Sequence, residues 1–179
     1  MGTLIQTLIE DQTALWTLNH PPVNALSKKL LEKLDLLVDQ ANADPNIRTV
    51  VLASGLQTYF AAGADIRELQ QISNKAEGKK YAERGQEILQ KIESASKPFI
   101  AAVEGFCLGG GFELALACHF RIAGTEAHLG LPEVNLGLIP GFGGIQRLAG
   151  KLTSDRALHL MLTGKHLPAE EALEQGLVT

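Results

Sequence analysis

The chain has 179 residues, of which 45% are hydrophobic and 20% are charged. These values are ordinary for a globular protein, and they exclude a disordered or fibrous chain. Because domains commonly contain roughly 100 to 200 residues, we expect a single domain covering residues 1–179. Sixteen Lys and Arg against twenty Asp and Glu give a formal charge of −4. The sequence has no basic cluster, which argues against a nucleic-acid partner.

The cysteines and the N-terminal sequence bear on the compartment. Cys107 and Cys118 are the only cysteines, and both stand among apolar residues, which favours buried thiols in a reducing compartment. The first ten residues lack the basic start and the cleavage pattern of a targeting segment. Residues 99–118 are long enough to span a membrane, but they contain two glutamates and several glycines. We therefore expect a cytoplasmic, bacterial-type protein without a membrane partner.

The first elements predicted along the chain are a pair of strands and an amphipathic helix. Residues 3–10 and 13–19 alternate β-branched or aromatic side chains with polar ones, which is typical of strands. A helical periodicity begins after Ser27 and ends before Asp44. Its apolar positions are Leu30, Leu31, Leu34, Leu37, Val38 and Ala41. Ser27 is expected to cap this helix, since a serine side chain accepts a hydrogen bond from a free N–H of the first turn.

Further along, short apolar runs alternate with helical patterns. Residues 49–53 and 99–103 are predicted strands of the kind buried on both faces of a parallel sheet. Helices are predicted at residues 64–72, 76–94, 154–162 and 168–175. Strands separated by helices indicate βαβ units and an α/β fold with right-handed crossovers. In such folds the binding residues lie at the carboxyl ends of the strands.

The second half of the chain is rich in glycine, but the patterns that bind nucleotides are absent. Eleven of the eighteen glycines lie between residues 105 and 150, so the backbone there turns sharply or approaches something closely. His159 occupies the first glycine position of a Walker motif whose second glycine and lysine would be Gly164 and Lys165, and Gln146 occupies the third glycine position of a dinucleotide motif starting at Gly141. The five histidines show no zinc spacing, so no metal site is expected.

Two glutamates stand in unusually apolar surroundings. Glu113 follows three glycines and precedes an apolar run, in the first turn of a predicted helix, and Glu133 lies twenty positions later between apolar residues. A glutamate at a helix start can simply complement the helix dipole. Two buried acids, however, can have pKa values moved apart and so serve as an acid and a base in one site. The backbone N–H at Gly110, and one in the small-residue segment before Ile66, are candidate donors to an anionic oxygen.

Several segments, taken in order, resemble the crotonase superfamily, and within it most closely the enoyl-CoA hydratases. The matching segments are residues 22–26 (PVNAL), 60–66 (FAAGADI), 105–118, 130–133 (GLPE), 137–141 (GLIPG) and 142–148 (FGGIQRL). One such segment alone is weak evidence, whereas all of them in this order are highly specific. The resemblance implies an α/β, crotonase-like ββα spiral fold.

The resemblance also implies roles for individual residues. Glu113 and Glu133 correspond to the two catalytic glutamates, and the N–H groups of Ala64 and Gly110 correspond to the oxyanion hole that holds the thioester oxygen. In the implied hydration of trans-2-enoyl-CoA to 3-hydroxyacyl-CoA during fatty acid β-oxidation, Glu113 activates the water and Glu133 protonates C2. The residues implied in binding the coenzyme A part of the substrate are Ala62, Gly63, Ala64, Asp65, Ile66 and Arg67. Arg67 or Lys28 is a candidate for its phosphates on charge alone, and no cofactor besides this substrate is expected.

Alternatives remain open within this resemblance. Enoyl-CoA isomerases of the superfamily work with one carboxylate at the Glu133 position, so the presence of Glu113 favours a hydratase. The chain also fits the hydratase domain of a bifunctional β-oxidation enzyme, or a non-catalytic acyl-CoA-binding module. Subunits of the family continue with further helices beyond the segment that matches residues 176–178. We therefore expect a catalytic core that lacks the C-terminal helical part, and a homotrimer or dimer of trimers for the full-length protein.

Overall fold

The computed structural model describes residues 3–179. Met1 and Gly2, which are part of the predicted domain 1–179 and of the N-terminal sequence that lacks a targeting pattern, lie outside the described residues. The strands in residues 3–179 are β1 (Ile5–Glu10), β2 (Thr13–Leu18), β3 (Thr49–Ser54), β4 (Tyr59–Ala62), β5 (Phe99–Val103), β6 (Phe106–Leu108), β7 (Phe120–Ala123), β8 (His128–Gly130) and β9 (Leu167–Pro168). The helices are α1 (Lys28–Ala43), α2 (Ile66–Leu69), α3 (Lys75–Glu93), α4 (Gly110–Ala117), α5 (Gly144–Ala149), α6 (Ser154–Thr163) and α7 (Ala169–Glu174), with a 3₁₀ helix at Pro132–Leu136.

The chain passes back and forth between two sheets. The first has the order β1-β2-β3-β5-β7 and the second the order β4-β6-β8-β9. Within them, β3, β5 and β7 are parallel neighbours, and so are β4, β6 and β8. Each of these strands in the first sheet is followed by a strand of the second sheet and then by helical segments. The path is therefore a ββα spiral, in which two strands rather than one separate successive helical layers.

Helix α1 forms as its sequence pattern predicts. The Ser27 hydroxyl accepts a hydrogen bond from the Leu30 N–H at 3.3 Å, and the helix ends at Ala43 before Asp44. Its buried residues are the six apolar positions of the predicted stripe, namely Leu30, Leu31, Leu34, Leu37, Val38 and Ala41. Burial of this stripe supplies most of the stability of the helix, because isolated helices of this length are marginal in water.

Two predictions about individual elements are wrong in detail. Strands β3 and β5 are not buried on both faces: Val50 and Leu52 are fully buried, while Val51 between them is half-buried, because the second face of the sheet is only partly covered. The helix predicted at residues 64–72 is shortened to Ile66–Leu69, with Asp65 as its N-cap accepting from the Arg67 N–H. Ala64 stays outside the helix, in a parallel β-bridge with Leu26.

A buried asparagine ties the two sheets together. Asn24 is fully buried, and its side-chain amide donates to the Leu18 carbonyl at the end of β2, to the Ser54 hydroxyl in β3 and to the Phe60 carbonyl in β4. Its φ of +51° lies in the left-handed region that asparagine tolerates better than most residues. By bonding both Ser54 and Phe60, Asn24 fixes the chain where it crosses from β3 in the first sheet to β4 in the second. Strand β4 leads directly into the segment that carries Ala64.

Helix α4 occupies the centre of the molecule. All eight of its residues are buried, Glu113 included. The helix lies close against β4 because residue 111 is glycine: a Cβ there would stand 2.2 Å from the Ala61 carbonyl oxygen. Buried Arg121 covers the other end of α4, where it donates to the Cys118 carbonyl at 2.6 Å and to the Leu177 carbonyl at 2.7 Å. Cys107 and Cys118 are buried free thiols, as predicted.

Candidate active site

A cavity of about 470 Å³ opens where β4, β6 and β8 end. This is the carboxyl edge of the second sheet, where sequence reasoning places the binding residues. The predicted site residues that line the cavity are Ala62, Gly63, Ala64, Ile66, Gly110, Glu113 and Glu133. The fold therefore brings both predicted glutamates and both predicted N–H donors to one cavity.

Glu113 is held at the cavity wall by two backbone donors. Its Oε1 accepts from the Phe142 N–H at 2.8 Å and from the Gly144 N–H at 2.7 Å. Residue 144 must be small for this approach, since a Cβ there would stand 2.7 Å from the Glu113 Cγ. Both hydrogen bonds go to Oε1, and within residues 3–179 the second oxygen, Oε2, accepts none. Oε2 is therefore the oxygen that can receive a proton from a bound water.

The electrostatics of Glu113 are those of a tuned base. Burial raises its pKa from 4.5 to about 7, and the negative charge of Glu133 acts in the same direction. The Gly144 and Phe142 N–H groups and the charge of Arg147 oppose that rise. A carboxyl group with a pKa near neutrality can take up and release a proton readily at physiological pH.

Glu133 extends from the 3₁₀ helix toward the glycines that precede α4. Its Oε1 lies 2.9 Å from the position that a Cβ at Gly109 would occupy. Its Oε2 is buried and has no hydrogen-bond partner within residues 3–179. Burial raises the pKa of Glu133 as well. A buried and unpaired carboxylate oxygen is costly, and a carboxyl group in this position is suited to hold a proton and deliver it into the cavity.

The two predicted N–H donors lie on adjoining segments. Gly110 begins α4, so its N–H has no acceptor inside that helix. The Ala64 nitrogen lies 3.3 Å from the position that a Cβ on Gly110 would occupy. The residue before Ala64 is fixed by a hydrogen bond of 2.9 Å, in which the Leu26 N–H donates to the Gly63 carbonyl. Both residues line the cavity. Two N–H donors brought to one cavity in this way could hold an oxygen that gains negative charge.

The rest of the cavity is apolar and was missed by sequence reasoning. Its apolar lining consists of Leu69, Ile72, Tyr81, Ala82, Leu108, Pro132, Leu136, Leu138, Ile139 and Phe142. The rings of Tyr81 and Phe142 are in contact, with centroids 5.6 Å apart. The Tyr81 hydroxyl is buried and unpaired within residues 3–179. In the sequence, only the family-like segments at residues 137–148 indicated that this apolar lining belongs to the site. The residues contributed by α3 showed nothing more than the periodicity of a helix.

The remaining candidates for coenzyme A contacts are not among the residues that line this cavity. Asp65 caps α2, and Arg67 is exposed. Lys28 begins α1, where its backbone N–H donates to the Glu68 carboxylate at 2.9 Å. Lys28 lines a separate outer cavity of about 590 Å³ that also contains Lys80 and Arg84. The roles of Asp65, Arg67 and Lys28 toward coenzyme A stay predictions.

Two negative findings concern residues 3–179. No group of three or more His, Cys, Asp or Glu side chains in this range has the arrangement of a metal site. None of the helices described there is long and apolar enough to cross a membrane.

Comparison with known proteins places the chain in a family. The family described as enoyl-CoA hydratase/isomerase matches residues 9–179. The chain belongs to the enoyl-CoA hydratase/isomerase family. It is 45% identical to the "Probable enoyl-CoA hydratase" of Bacillus subtilis (strain 168) over 98% of this chain and 67% of that protein. It is 44% identical to the "Peroxisomal bifunctional enzyme" of Danio rerio over 96% of this chain but 23% of that protein.

A solved structure supports the same placement of the fold. The crystal structure of an enoyl-CoA hydratase from Bacillus anthracis superposes with a TM-score of 0.92 at 38% identity, covering 98% of this chain and 69% of that one. The predicted crotonase-like family and α/β spiral fold are therefore confirmed. The predicted hydro-lyase class agrees with the name of the Bacillus subtilis relative and with the family match. The chain spans about two thirds of the Bacillus subtilis relative and about a quarter of the bifunctional one.

Proposed function

We propose that this chain is the catalytic core of an enoyl-CoA hydratase, which adds water across the 2,3-double bond of a trans-2-enoyl-CoA. The observation that carries the proposal is the meeting of two carboxyl groups, that of buried Glu113 and that of half-buried Glu133, with the two predicted N–H donors at one cavity. Both carboxyl groups line the same cavity, and the charge of Glu133 raises the pKa of Glu113. The apolar wall of the cavity suits an acyl chain.

The proposed reaction assigns one task to each group. The thioester oxygen is held by the N–H groups of Ala64 and Gly110, which stabilise the negative charge it gains as the enolate forms. Each such donor is typically worth about 2.7–4 kcal/mol in a transition state. Water held at Glu113 Oε2 attacks C3 as Glu113 takes its proton, and protonated Glu133 gives a proton to C2. The product is a 3-hydroxyacyl-CoA, and one proton has moved from Glu133 to substrate and one from water to Glu113.

The electrostatics of the pair support this division of roles. Burial raises the pKa of both carboxyl groups, and two carboxyl groups that share one site do not readily ionise together. One proton shared by the pair therefore leaves one base and one acid. Glu113 accepts two N–H donors, which stabilise its ionised form, whereas Glu133 Oε2 has no donor within residues 3–179. This difference in hydrogen bonding supports the proposal that Glu113 is the base and Glu133 the acid.

The test compares three isosteric variants in the full chain, with crotonyl-CoA as substrate and loss of its enoyl absorbance as the readout. We expect Glu113→Gln and Glu133→Gln each to lower turnover by about 10²-fold or more. Glu174→Gln, at an exposed position of α7, is the matched control and is expected to retain activity. If Glu133→Gln left turnover unchanged, the mechanism would be wrong.

The same variants separate the alternatives. An isomerase acting on a 3-enoyl-CoA through Glu133 alone would keep its activity in Glu113→Gln. A module that only binds acyl-CoA would bind acetoacetyl-CoA tightly in calorimetry but leave crotonyl-CoA unchanged. Either result would replace the hydratase proposal.

Further proposals concern cofactor, assembly and location. We propose that coenzyme A enters only as part of the substrate, that residues 1–179 form one domain, and that the full-length protein is a cytoplasmic homotrimer or dimer of trimers. Apolar side chains exposed on α6, α7 and β7 support the assembly; they are Leu158, Leu162, Leu173, Phe120 and Ile122. Sedimentation analysis, cell fractionation and activity after exhaustive dialysis against a chelator test these points.

A further inference from the structure

We propose that Arg147 is a positioning residue for Glu113: it fixes the loop whose N–H groups hold that carboxylate, and it supplies the positive charge that faces it. The inference rests on the proposed hydration, in which Glu113 is the base. Arg147 does not line the substrate cavity, so it acts through Glu113 and through the loop rather than on the substrate.

The first support is the set of contacts made by the guanidinium group. Arg147 is only 9% exposed. Its Nη1 donates to the Phe142 carbonyl at 2.8 Å, and its Nε donates to the Glu93 carboxylate at 2.9 Å. A guanidinium group presents its donors in a fixed planar fork, so these two bonds determine its orientation. Arg147 thereby connects helix α3 with the loop that leads into α5.

The second support is the loop itself. Phe142 and Gly144, on either side of Gly143, donate both hydrogen bonds that Glu113 receives. Gly143 has a φ of +96°, and a Cβ there would stand 2.5 Å from Arg147 Nη1. The loop therefore adopts a conformation restricted to glycine, and it does so directly against the guanidinium group. Loss of the Arg147 bond to the Phe142 carbonyl would free the segment that orients the base.

The third support is the charge balance around Glu113. The 3₁₀ helix contributes Glu133, which raises the pKa of Glu113, and α5 contributes Arg147, which lowers it. Helix α3 contributes Glu93, which contacts Arg147 rather than Glu113. Strands β4, β5 and β6 carry no charged side chain. Arg147 is thus the positive charge that favours the ionised, water-activating form of Glu113.

The test is the pH profile of kcat/KM for crotonyl-CoA in the full chain. Removing the charge in Arg147→Gln is expected to move the acidic limb of this profile upward by about 0.5 pH unit or more. The loss of kcat/KM is then about threefold larger at pH 6 than at pH 9. Arg147→Lys keeps the charge, so its limb is expected near that of the unmodified protein. The matched control is Arg156→Gln, at an exposed position of α6, which is expected to leave the profile unchanged.

Three results would overturn the inference. The first is a loss of kcat/KM in Arg147→Gln that is the same fraction at every pH. The second is an acidic limb in Arg147→Lys that is displaced as far as that of Arg147→Gln. The third is an equal displacement of the acidic limb in the Arg156→Gln control. If Arg147→Gln does not fold, Glu93→Gln serves instead. Because that change leaves the Arg147 charge unneutralised, the limb is expected at lower pH, and movement to higher pH would contradict the inference.

A readout without turnover separates this inference from the proposed function. The pH dependence of the free energy of unfolding, taken as the difference from a variant that also carries Glu113→Gln, reports the pKa of Glu113 even if crotonyl-CoA is not hydrated. If the unmodified protein shows no hydration, the proposed function fails. The role of Arg147 in setting the charge state of Glu113 still stands if the midpoint of that dependence moves to higher pH in Arg147→Gln, and it falls if the midpoint stays in place.

Discussion

Replacing Glu113 with glutamine is expected to change how the stability of the protein depends on pH. The pKa of Glu113 is raised from 4.5 to about 7, mainly by burial. The folded state therefore binds a proton more tightly than the unfolded state. Stability from this group is fully present below pH 4.5, declines as the pH rises, and is lost above pH 7. The difference between the two pKa values corresponds to about 3 kcal/mol.

The Glu113→Gln variant removes this dependence with little change in shape. Glutamine keeps a carbonyl oxygen that can accept from the Phe142 and Gly144 N–H groups, but it cannot ionise. We expect the difference between the two free energies of unfolding, variant minus unmodified protein, to increase by about 3 kcal/mol between acidic pH and pH 8, because only the unmodified protein loses stability as the pH rises. Other carboxyl groups titrate in both proteins, so their effects cancel in this difference.

Urea unfolding at several pH values, followed by circular dichroism, measures this difference directly. Glu174→Gln, at an exposed position, provides the baseline for removing one carboxyl group. A difference between Glu113→Gln and the unmodified protein that stays constant from acidic pH to pH 8 would refute the reasoning. In that case the pKa of Glu113 would be the same in the folded and the unfolded protein.

Three further substitutions test the packing around the site. Gly144→Ala places a Cβ 2.7 Å from the Glu113 Cγ, so hydration is expected to fall at least tenfold as the carboxylate is displaced, measured with crotonyl-CoA. Asn24→Ala leaves the Phe60 carbonyl without its side-chain donor and is expected to lower the free energy of unfolding by about 2–3 kcal/mol in urea. Tyr81→Phe removes a buried hydroxyl that has no partner within residues 3–179. Its free energy of unfolding is expected to stay equal or to rise by about 1 kcal/mol, and a clear loss would show that the hydroxyl is paired.

The sequence was most informative where local pattern and chemistry coincide. Helix α1 follows from a stripe of apolar residues and a serine cap. Glu113 and Glu133 stand out because carboxyl groups rarely occur among glycine and apolar residues. These features are local, so they can be recognised without knowing which segments meet in space.

The parts that sequence reasoning missed depend on contacts between distant segments. Strands β4, β6 and β8 contain only three or four residues each, which is too short for a clear alternation of side chains. The bonds from Phe142 and Gly144 to Glu113 join residues 29 and 31 positions apart. The half-exposed faces of β3 and β5 depend on how far other layers cover the sheet. Such features emerge only from the folded arrangement.

The central claim is that Glu113 and Glu133 act as one unit on the substrate and the water bound in one cavity. The most direct measurement is the turnover of crotonyl-CoA by Glu113→Gln, Glu133→Gln and the double variant, compared as a thermodynamic cycle. If the two carboxyl groups work as a unit, the double variant is expected to be about as slow as the slower single variant. Losses that multiply in the double variant would contradict the account, because they would mean that the two groups contribute independently.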